Sequence, residues 1–255
     1  MTGADSISAL LEAALAEGRK RDFAAAAAAC ERALQLSPDH PDALQLLGLI
    51  RAEEGNAAEA KRLMERSLAR DRKQPHVLNN LANLFLKEGE RAQAIALFRE
   101  AVAQKAGYGE GWLNLGAALI EEGAHEEAEK ALVRAGKLMP RDARPLTFLG
   151  TLAQRREQFP EAEALYRKAL ALNPKSFVAQ HNLGFVLKAT RRLAEAEAAY
   201  RKAEALNPAS PELQVNLANL MYEKDSIEGA LAGYRRAIAL KPDFTEAHRS
   251  LNEIL

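Results

Sequence analysis

The sequence predicts an all-α fold: seven helical hairpins in a row, closed by one further helix. Three observations support this prediction. Alanines recur every 34 residues in two columns, apolar residues follow the i, i+3, i+4 spacing of helix faces, and strand signals are absent. The hairpins are predicted at 7–40, 41–74, 75–108, 109–142, 143–176, 177–210 and 211–244, with the closing helix at 245–255 and one array spanning 1–255.

The second helix of each hairpin carries the alanine columns. The first column reads Ala26, Ala60, Ala94, Ala128, Ala162, Ala196 and Ala230, and the second lies seven residues further on, with Ser67 in place of alanine in copy two. Between them stands a larger residue: Cys30, Met64, Phe98, Leu132, Tyr166, Tyr200 and Tyr234. A hairpin alone leaves its apolar face open, so neighbouring hairpins must stack to bury it.

The first helix is clearest in the fourth hairpin, where Trp112, Leu115, Gly116 and Leu119 share one stripe. The residue at the Gly116 position is small in every copy, which lets a neighbouring helix approach closely. The turn between the two helices is marked by glycine in copies two to four, at Gly55, Gly89 and Gly123. The second helix ends at Asn173-Pro174, Asn207-Pro208 and Lys241-Pro242, because the residue before proline leaves the α region.

These spacings, from Trp112 through Leu115-Gly116 to Ala128 and Pro140, resemble the tetratricopeptide repeat. The resemblance covers residues 7 to 244. It implies a right-handed superhelical solenoid whose first helices line a concave groove while the second helices face outward.

The chain departs from this repeat in a few places. Copy one has Ala13-Ala14 and Cys30 where larger residues are usual, so a looser first hairpin is expected. Copies two and three carry Arg72 and Ala106 at the proline position, which predicts slightly altered turns.

Composition excludes several classes of function. Lys+Arg and Asp+Glu both number 35, so no global basic field attracts nucleic acid. No secretory signal and no apolar run of about 20 residues is visible, so we expect a cytoplasmic protein without a membrane partner. Cys30 is the single cysteine and cannot form an internal disulfide; its column predicts a buried, unreactive residue.

No catalytic signature is present. The sequence lacks a phosphate-binding loop, a nucleophile elbow and a C-x-x-C pair. His125-Glu126 begins a zinc-helix pattern, but Glu129 stands where the second histidine is required. We therefore predict no enzyme, no cofactor and no metal, and we interpret all five histidines, at 40, 76, 125, 181 and 248, as solvated surface residues.

Asparagines recur on the face of the first helix opposite the stacking stripe. They occupy the sixth position of the repeat at Asn80, Asn114, Asn182 and Asn216, and the ninth position at Asn83 and Asn219. Asparagine is a mediocre helix former, and its amide complements a peptide unit. The column predicts a groove that holds an extended partner backbone, with Phe148, Phe185 and Tyr222 contacting partner side chains. The alternative is that these asparagines hydrogen-bond the adjacent repeat.

A similar asparagine ladder lines the tetratricopeptide superhelix of O-linked N-acetylglucosamine transferases, where it holds substrate polypeptide. The resemblance is restricted to these positions. The carboxylate clamp of Hsp70/Hsp90 co-chaperones needs lysine at the fifth position, and no copy has one there.

The sequence thus predicts a protein-interaction module or adaptor whose partner is a protein or peptide. Two alternatives stay open: the substrate-docking part of a larger enzyme (a peptide glycosyltransferase, oxygenase or sulfotransferase), and a scaffold that self-associates through its terminal repeats. The basic pairs Arg167-Lys168, Arg201-Lys202 and Arg235-Arg236 are interpreted as a solvated outer face, with a stripe for an acidic partner as the alternative.

Overall fold

The structure, a computed structural model, describes residues 6–255. In that range it contains fifteen α-helices and no strand, so the all-α repeat fold is confirmed. The helices are α1 (Ile7–Arg19), α2 (Phe23–Leu36), α3 (Pro41–Glu53), α4 (Ala57–Arg70), α5 (Pro75–Lys87), α6 (Arg91–Gln104), α7 (Gly109–Glu122), α8 (His125–Leu138), α9 (Arg144–Arg155), α10 (Phe159–Leu172), α11 (Phe177–Ala189), α12 (Leu193–Leu206), α13 (Pro211–Glu223), α14 (Ile227–Leu240) and α15 (Thr245–Asn252).

The helices pack as stacked hairpins. In six of the hairpins the first helix packs against the second helix of the same hairpin, as α3 does against α4. The second helices of these six hairpins each pack against the next helix along the chain, as α10 does against α11. Several consecutive first helices also touch, among them α5 with α7 and α11 with α13. The side chains on the first helices of neighbouring hairpins are therefore close enough to interact.

The chain forms two compact units of similar size, Met1–Ala128 and Glu129–Leu255, with the boundary inside α8. Each unit contains its own stack of hairpins. The assignment of the whole chain to one array stays a prediction.

Small residues form the centre of each stack. All seven members of the first alanine column are completely buried. The second column is equally buried, including Ser67, whose hydroxyl donates to the Pro41 carbonyl at 2.9 Å. Close packing on these columns leaves room for the larger residue between them. Tyr166 and Tyr200 are the largest side chains that are fully buried.

Two glycines allow these tyrosines to lie against the first helix. A Cβ atom added at Gly150 would lie 2.6 Å from a ring carbon of Tyr166. At Gly184 the corresponding distance to Tyr200 is 2.5 Å. Both distances are shorter than any ordinary carbon contact, so the tyrosine ring occupies the space that a side chain would need. In these two copies the glycine of the first helix therefore makes room for the tyrosine of the second.

The turn inside each hairpin uses a left-handed residue in all seven copies. Glycine supplies it at Gly55, Gly89 and Gly123, with φ between +81° and +84°. In the other copies the same position holds non-glycine residues at positive φ: Arg21, Glu157, Arg191 and Asp225. The predicted glycine turn is confirmed in copies two to four. The other four copies have the same positive φ at this position although they lack the glycine.

The ends of the second helices are equivalent with and without proline. α4 ends at Arg70 and α6 at Gln104, the same repeat position at which α10 ends at Leu172. The expectation of an altered turn is wrong for Ala106, where the Tyr108 N–H donates to the Lys105 carbonyl at 2.9 Å. It is confirmed for Arg72, where the side-chain amide of Gln74 donates to the Asp71 carbonyl at 2.6 Å instead. The residue after each helix closes it with a backbone N–H bonded four residues back, as Asp71 does to Ser67 at 3.0 Å. This bond does not require the proline.

Candidate functional site

The predicted asparagines lie on the first helices, at positions shared by all hairpins. We call the residues at the fifth, sixth, ninth and twelfth positions of the first helices the asparagine face. In the first unit α5 carries Asn80 and Asn83, and α7 carries Asn114. In the second unit the face contains Asn182, Asn216 and Asn219 on α11 and α13. All six side chains are partly exposed.

Three sixth-position asparagines donate a hydrogen bond to the preceding hairpin. Asn114 donates from Nδ2 to Asn79 Oδ1 at 2.9 Å. Asn216 Nδ2 lies 2.6 Å from His181 Nε2. Asn182 Nδ2 lies 3.5 Å from Thr151 Oγ1, at the limit of a hydrogen bond. The alternative reading of these residues, as links between adjacent repeats, therefore describes a contact that they do make.

These bonds leave much of each amide free. A primary amide offers two hydrogens and an oxygen with two lone pairs, and the contacts to the preceding hairpin use one hydrogen. Asn80 and Asn83 make no side-chain hydrogen bond to any described residue. The face therefore retains donors and acceptors that a partner backbone can use while the repeats remain linked.

Two buried tyrosines of the second helices place their hydroxyls in contact with residues of the asparagine face. The Tyr166 hydroxyl donates to Gln154 Oε1 at 2.9 Å and lies 3.4 Å from Thr151 Oγ1. The Tyr234 hydroxyl donates to Asn219 Oδ1. Asn219 therefore keeps its amide hydrogens available. Burial raises the pKa of Tyr166 to about 12, so its phenol remains a donor at neutral pH.

The predicted aromatic contacts differ in exposure. Phe148 is partly buried, whereas Phe185 is 37% exposed and Tyr222 is 49% exposed. Trp112, expected in the core, is partly exposed, and its indole N–H donates to the Ala106 carbonyl at 3.0 Å. The second unit thus places two exposed aromatic side chains beside the asparagine face.

A cavity of about 240 Å³ opens beside Tyr222 in the second unit. Its wall includes Asn219 and Tyr234, together with Ser250 of α15 and Ile254, which follows that helix. A second cavity, of about 650 Å³, lies between the α8–α9 and α10–α11 turns and contains none of the predicted site residues.

Reading the histidines as solvated is wrong for His181. Its ring lies between Phe177 and Tyr200, with centroid distances of 5.6 Å and 5.8 Å. Burial lowers the pKa of His181, and the nearby Glu212 carboxylate raises it by a smaller amount. Sequence reasoning missed His181, Asn79 and Thr151 as partners of the asparagines. The signal was the repeat register, which places each of them one hairpin before the asparagine it contacts.

Cys30 behaves as its column predicts. The thiol is fully buried and unpaired with any other cysteine. Burial raises the pKa of the Cys30 thiol to about 11, so it stays protonated at neutral pH.

One arginine of each basic pair on the second helices contacts a carboxylate. Arg167 contacts Glu163 at 2.8 Å. Arg201 and Arg236 both contact Glu204, each at 2.9 Å. Arg236 thereby links its hairpin to the previous one. Lys168, Lys202 and Arg235 are exposed.

Residues 6–255 contain no cluster of side chains suited to hold a metal ion. In the same range, none of the helices combines the length and the apolar character required to cross a bilayer.

The family follows from comparison with known proteins. A family model for the cilia and flagella-associated protein 70 C-terminal domain, a tetratricopeptide-repeat domain, matches residues 3–253. The chain belongs to this family. Membership confirms the tetratricopeptide resemblance of the sequence, whereas the similarity to the glycosyltransferase ladder stays a prediction.

Solved structures share the family's fold. A tetratricopeptide repeat protein from Parabacteroides merdae superposes with a TM-score of 0.76 at 18% identity, covering 97% of this chain and 98% of that chain. A chain of the APC/C hetero-tetramer Cut9-Hcn1 gives 0.81 at 20% identity, covering 98% of this chain and 48% of that one. YrrB, described as a TPR protein with an unusual peptide-binding site, gives 0.54 at 20% identity, with coverages of 74% and 97%. No curated protein sequence matches the chain.

Proposed function

We propose that the chain is a protein-interaction module that binds an extended segment of a partner polypeptide along the asparagine face. The observation that carries the proposal is the set of partly exposed amides that retain hydrogen-bonding capacity after linking the repeats. Family membership supports an interaction or scaffold role. The description of YrrB shows that this fold can carry a peptide-binding site in another protein.

The proposed mechanism divides recognition between backbone and side chains. Asn80, Asn83 and Asn114 bond the partner backbone in the first unit, and Asn182, Asn216 and Asn219 do so in the second. The partly buried Phe148 and the exposed Phe185 and Tyr222 contact partner side chains, one of which enters the cavity beside Tyr222.

Binding of this kind is expected to be loose and broad. Backbone hydrogen bonds do not depend on the partner's sequence, and ordering a flexible peptide offsets much of the contact free energy. The proposal assigns no catalytic step to the chain and places it in the cytoplasm.

The test is binding of peptides selected from a random library of about twelve residues, long enough to cross three or four first helices. Affinity is measured by fluorescence anisotropy for the wild type and for the variant with Asn80, Asn114, Asn182 and Asn216 changed to alanine. We expect a loss of roughly two- to tenfold for each hydrogen bond removed. Unchanged affinity in this variant would sink the proposal.

Two further variants separate binding from stability. The Asn80→Ala, Asn83→Ala double variant removes amides that bond no described residue, so affinity falls without weakening the stack. The Lys168→Ala, Lys202→Ala, Arg235→Ala variant changes the outer face and keeps full affinity. Loss of binding in this second variant would instead identify the basic stripe as the site.

A further inference from the structure

The contact between Asn216 and His181 fixes the protonation of the imidazole. An amide nitrogen has no lone pair to offer, so Asn216 Nδ2 must be the donor across the 2.6 Å contact. His181 Nε2 is then the acceptor, and the ring proton of the neutral imidazole sits on Nδ1. The amide oxygen and the second amide hydrogen of Asn216 take no part in this contact.

The same arrangement occurs in the first unit with a different acceptor. Asn114 donates to Asn79, which stands 35 residues earlier, the same separation as between Asn216 and His181. In both pairs a fifth-position side chain accepts from a sixth-position asparagine of the next hairpin. The acceptor in the first unit is an amide oxygen, which does not titrate.

The other two sixth-position asparagines, Asn80 and Asn182, do not bond the fifth-position residue of the preceding hairpin. Asn182 follows a hairpin whose fifth residue is Thr147, but that hydroxyl donates to the Ala143 carbonyl of its own helix at 3.0 Å. Asn182 makes the long 3.5 Å contact to Thr151 instead. Asn80 follows Gln45 and forms no side-chain hydrogen bond with a described residue. A hydrogen bond between hairpins therefore requires a fifth-position side chain whose acceptor atom is free and lies within hydrogen-bond distance of the asparagine.

We propose that Asn79 and His181 are positioning residues that set which atoms Asn114 and Asn216 present to a bound backbone, and that protonation of His181 reverses the amide of Asn216. With neutral His181, Asn216 offers its oxygen and one hydrogen to the partner. With protonated His181, Nε2 becomes a donor, the amide turns to place its oxygen against the ring, and Asn216 offers the partner only hydrogens. This deepens the proposed function and rests on it where the partner is concerned.

The surroundings of His181 place this change below neutral pH. The titratable groups that face the ring are the Tyr200 phenol on α12 and the Glu212 carboxylate on α13; α9 and α10 bring none whose charge acts on it among the described residues. Burial lowers the pKa of His181 from its ordinary 6.5, and Glu212 opposes this only in part. The imidazole is therefore neutral at pH 7, and it protonates at a lower pH than an ordinary histidine does.

The first test uses the full chain without any ligand. Nitrogen-15 NMR reports the tautomer of each histidine and the side-chain amide of each asparagine, with Asn216 and Asn114 assigned from their alanine variants. We expect His181 in the Nδ1–H form at neutral pH, and an Asn216 amide signal that shifts with the titration of His181 while Asn114 does not respond. An Nε2–H form at neutral pH, or an Asn216 amide that ignores the titration, overturns the proposal.

The second test uses a peptide selected from the library at neutral pH. As the pH is lowered from about 7.5 through the His181 titration observed by NMR, its affinity for the wild type should fall roughly three- to tenfold, as expected for one lost hydrogen bond. The His181→Asn variant, which copies the Asn79–Asn114 pair, should bind like the wild type at neutral pH and lose this pH dependence. An equal fall in the variant overturns the role of His181. If no peptide binds the wild type, the proposed function fails, and the NMR experiment still decides the positioning role.

Discussion

The fifth and sixth hairpins share a buried tyrosine but treat its hydroxyl differently. In the fifth, Tyr166 bonds Gln154 and lies close to Thr151. In the sixth, the Tyr200 hydroxyl is buried and has no hydrogen-bond partner. Two positions explain the difference. The twelfth position holds the acceptor Gln154 in the fifth hairpin and Lys188, which pairs with Glu223, in the sixth. The ninth position holds Thr151 in the fifth hairpin and Phe185, which has no polar side-chain atom, in the sixth. The residues on the asparagine face therefore also decide whether the buried tyrosine hydroxyl has a hydrogen-bond partner.

The largest effect is expected from filling the glycine space. Gly150→Ala and Gly184→Ala each force a methyl group into a tyrosine ring and should lower the free energy of unfolding by about 1–3 kcal/mol. The loss should be greater at Gly150, because moving Tyr166 also breaks its hydrogen bonds. Urea denaturation followed by circular dichroism measures both. The Gly48→Ala variant, where the nearest side-chain atom lies 3.1 Å away on flexible Met64, serves as the milder control. Equal losses at Gly150 and Gly184 would contradict the contrast between the two hairpins.

Removing the hydroxyls separates the two tyrosines directly. Tyr166→Phe should cost about 1 kcal/mol of unfolding free energy, because Gln154 loses its donor. Tyr200→Phe should be neutral or stabilising, because it removes a buried donor that has no partner. The same urea midpoints decide this, and a comparable loss in both variants would show that Tyr200 is satisfied in solution.

The smallest effect comes from supplying the missing partner. Phe185→Thr copies Thr151 into the sixth hairpin and should place an acceptor beside the Tyr200 hydroxyl. Phe185→Val has nearly the same shape without the hydroxyl and is the matched control. We expect the threonine variant to be more stable than the valine variant by about 0.5–1.5 kcal/mol. No difference between them, or no loss of this difference on adding Tyr200→Phe, would argue against the pairing.

The helices and their stacking could be predicted because they depend on the repeat period. Seven alanines at one spacing suffice to place the second helices, and all seven are buried. The asparagines could be placed on one face for the same reason. Their partners could not, because a hydrogen bond between hairpins depends on reach and on competing bonds. Thr147 and His181 occupy the same repeat position, yet only His181 accepts from the next asparagine.

The left-handed turn residue has a consequence for recognising related repeats in other sequences. Glycine marks this turn in three copies, but the backbone adopts positive φ in all seven. At Arg21, Glu157, Arg191 and Asp225 the stacked helices impose a conformation that costs an ordinary residue roughly 1–2 kcal/mol. The turn is thus dictated by the helices on either side of it. A search that relies on glycine to delimit the hairpins would overlook more than half of those in this chain, whereas the buried alanine columns identify every one.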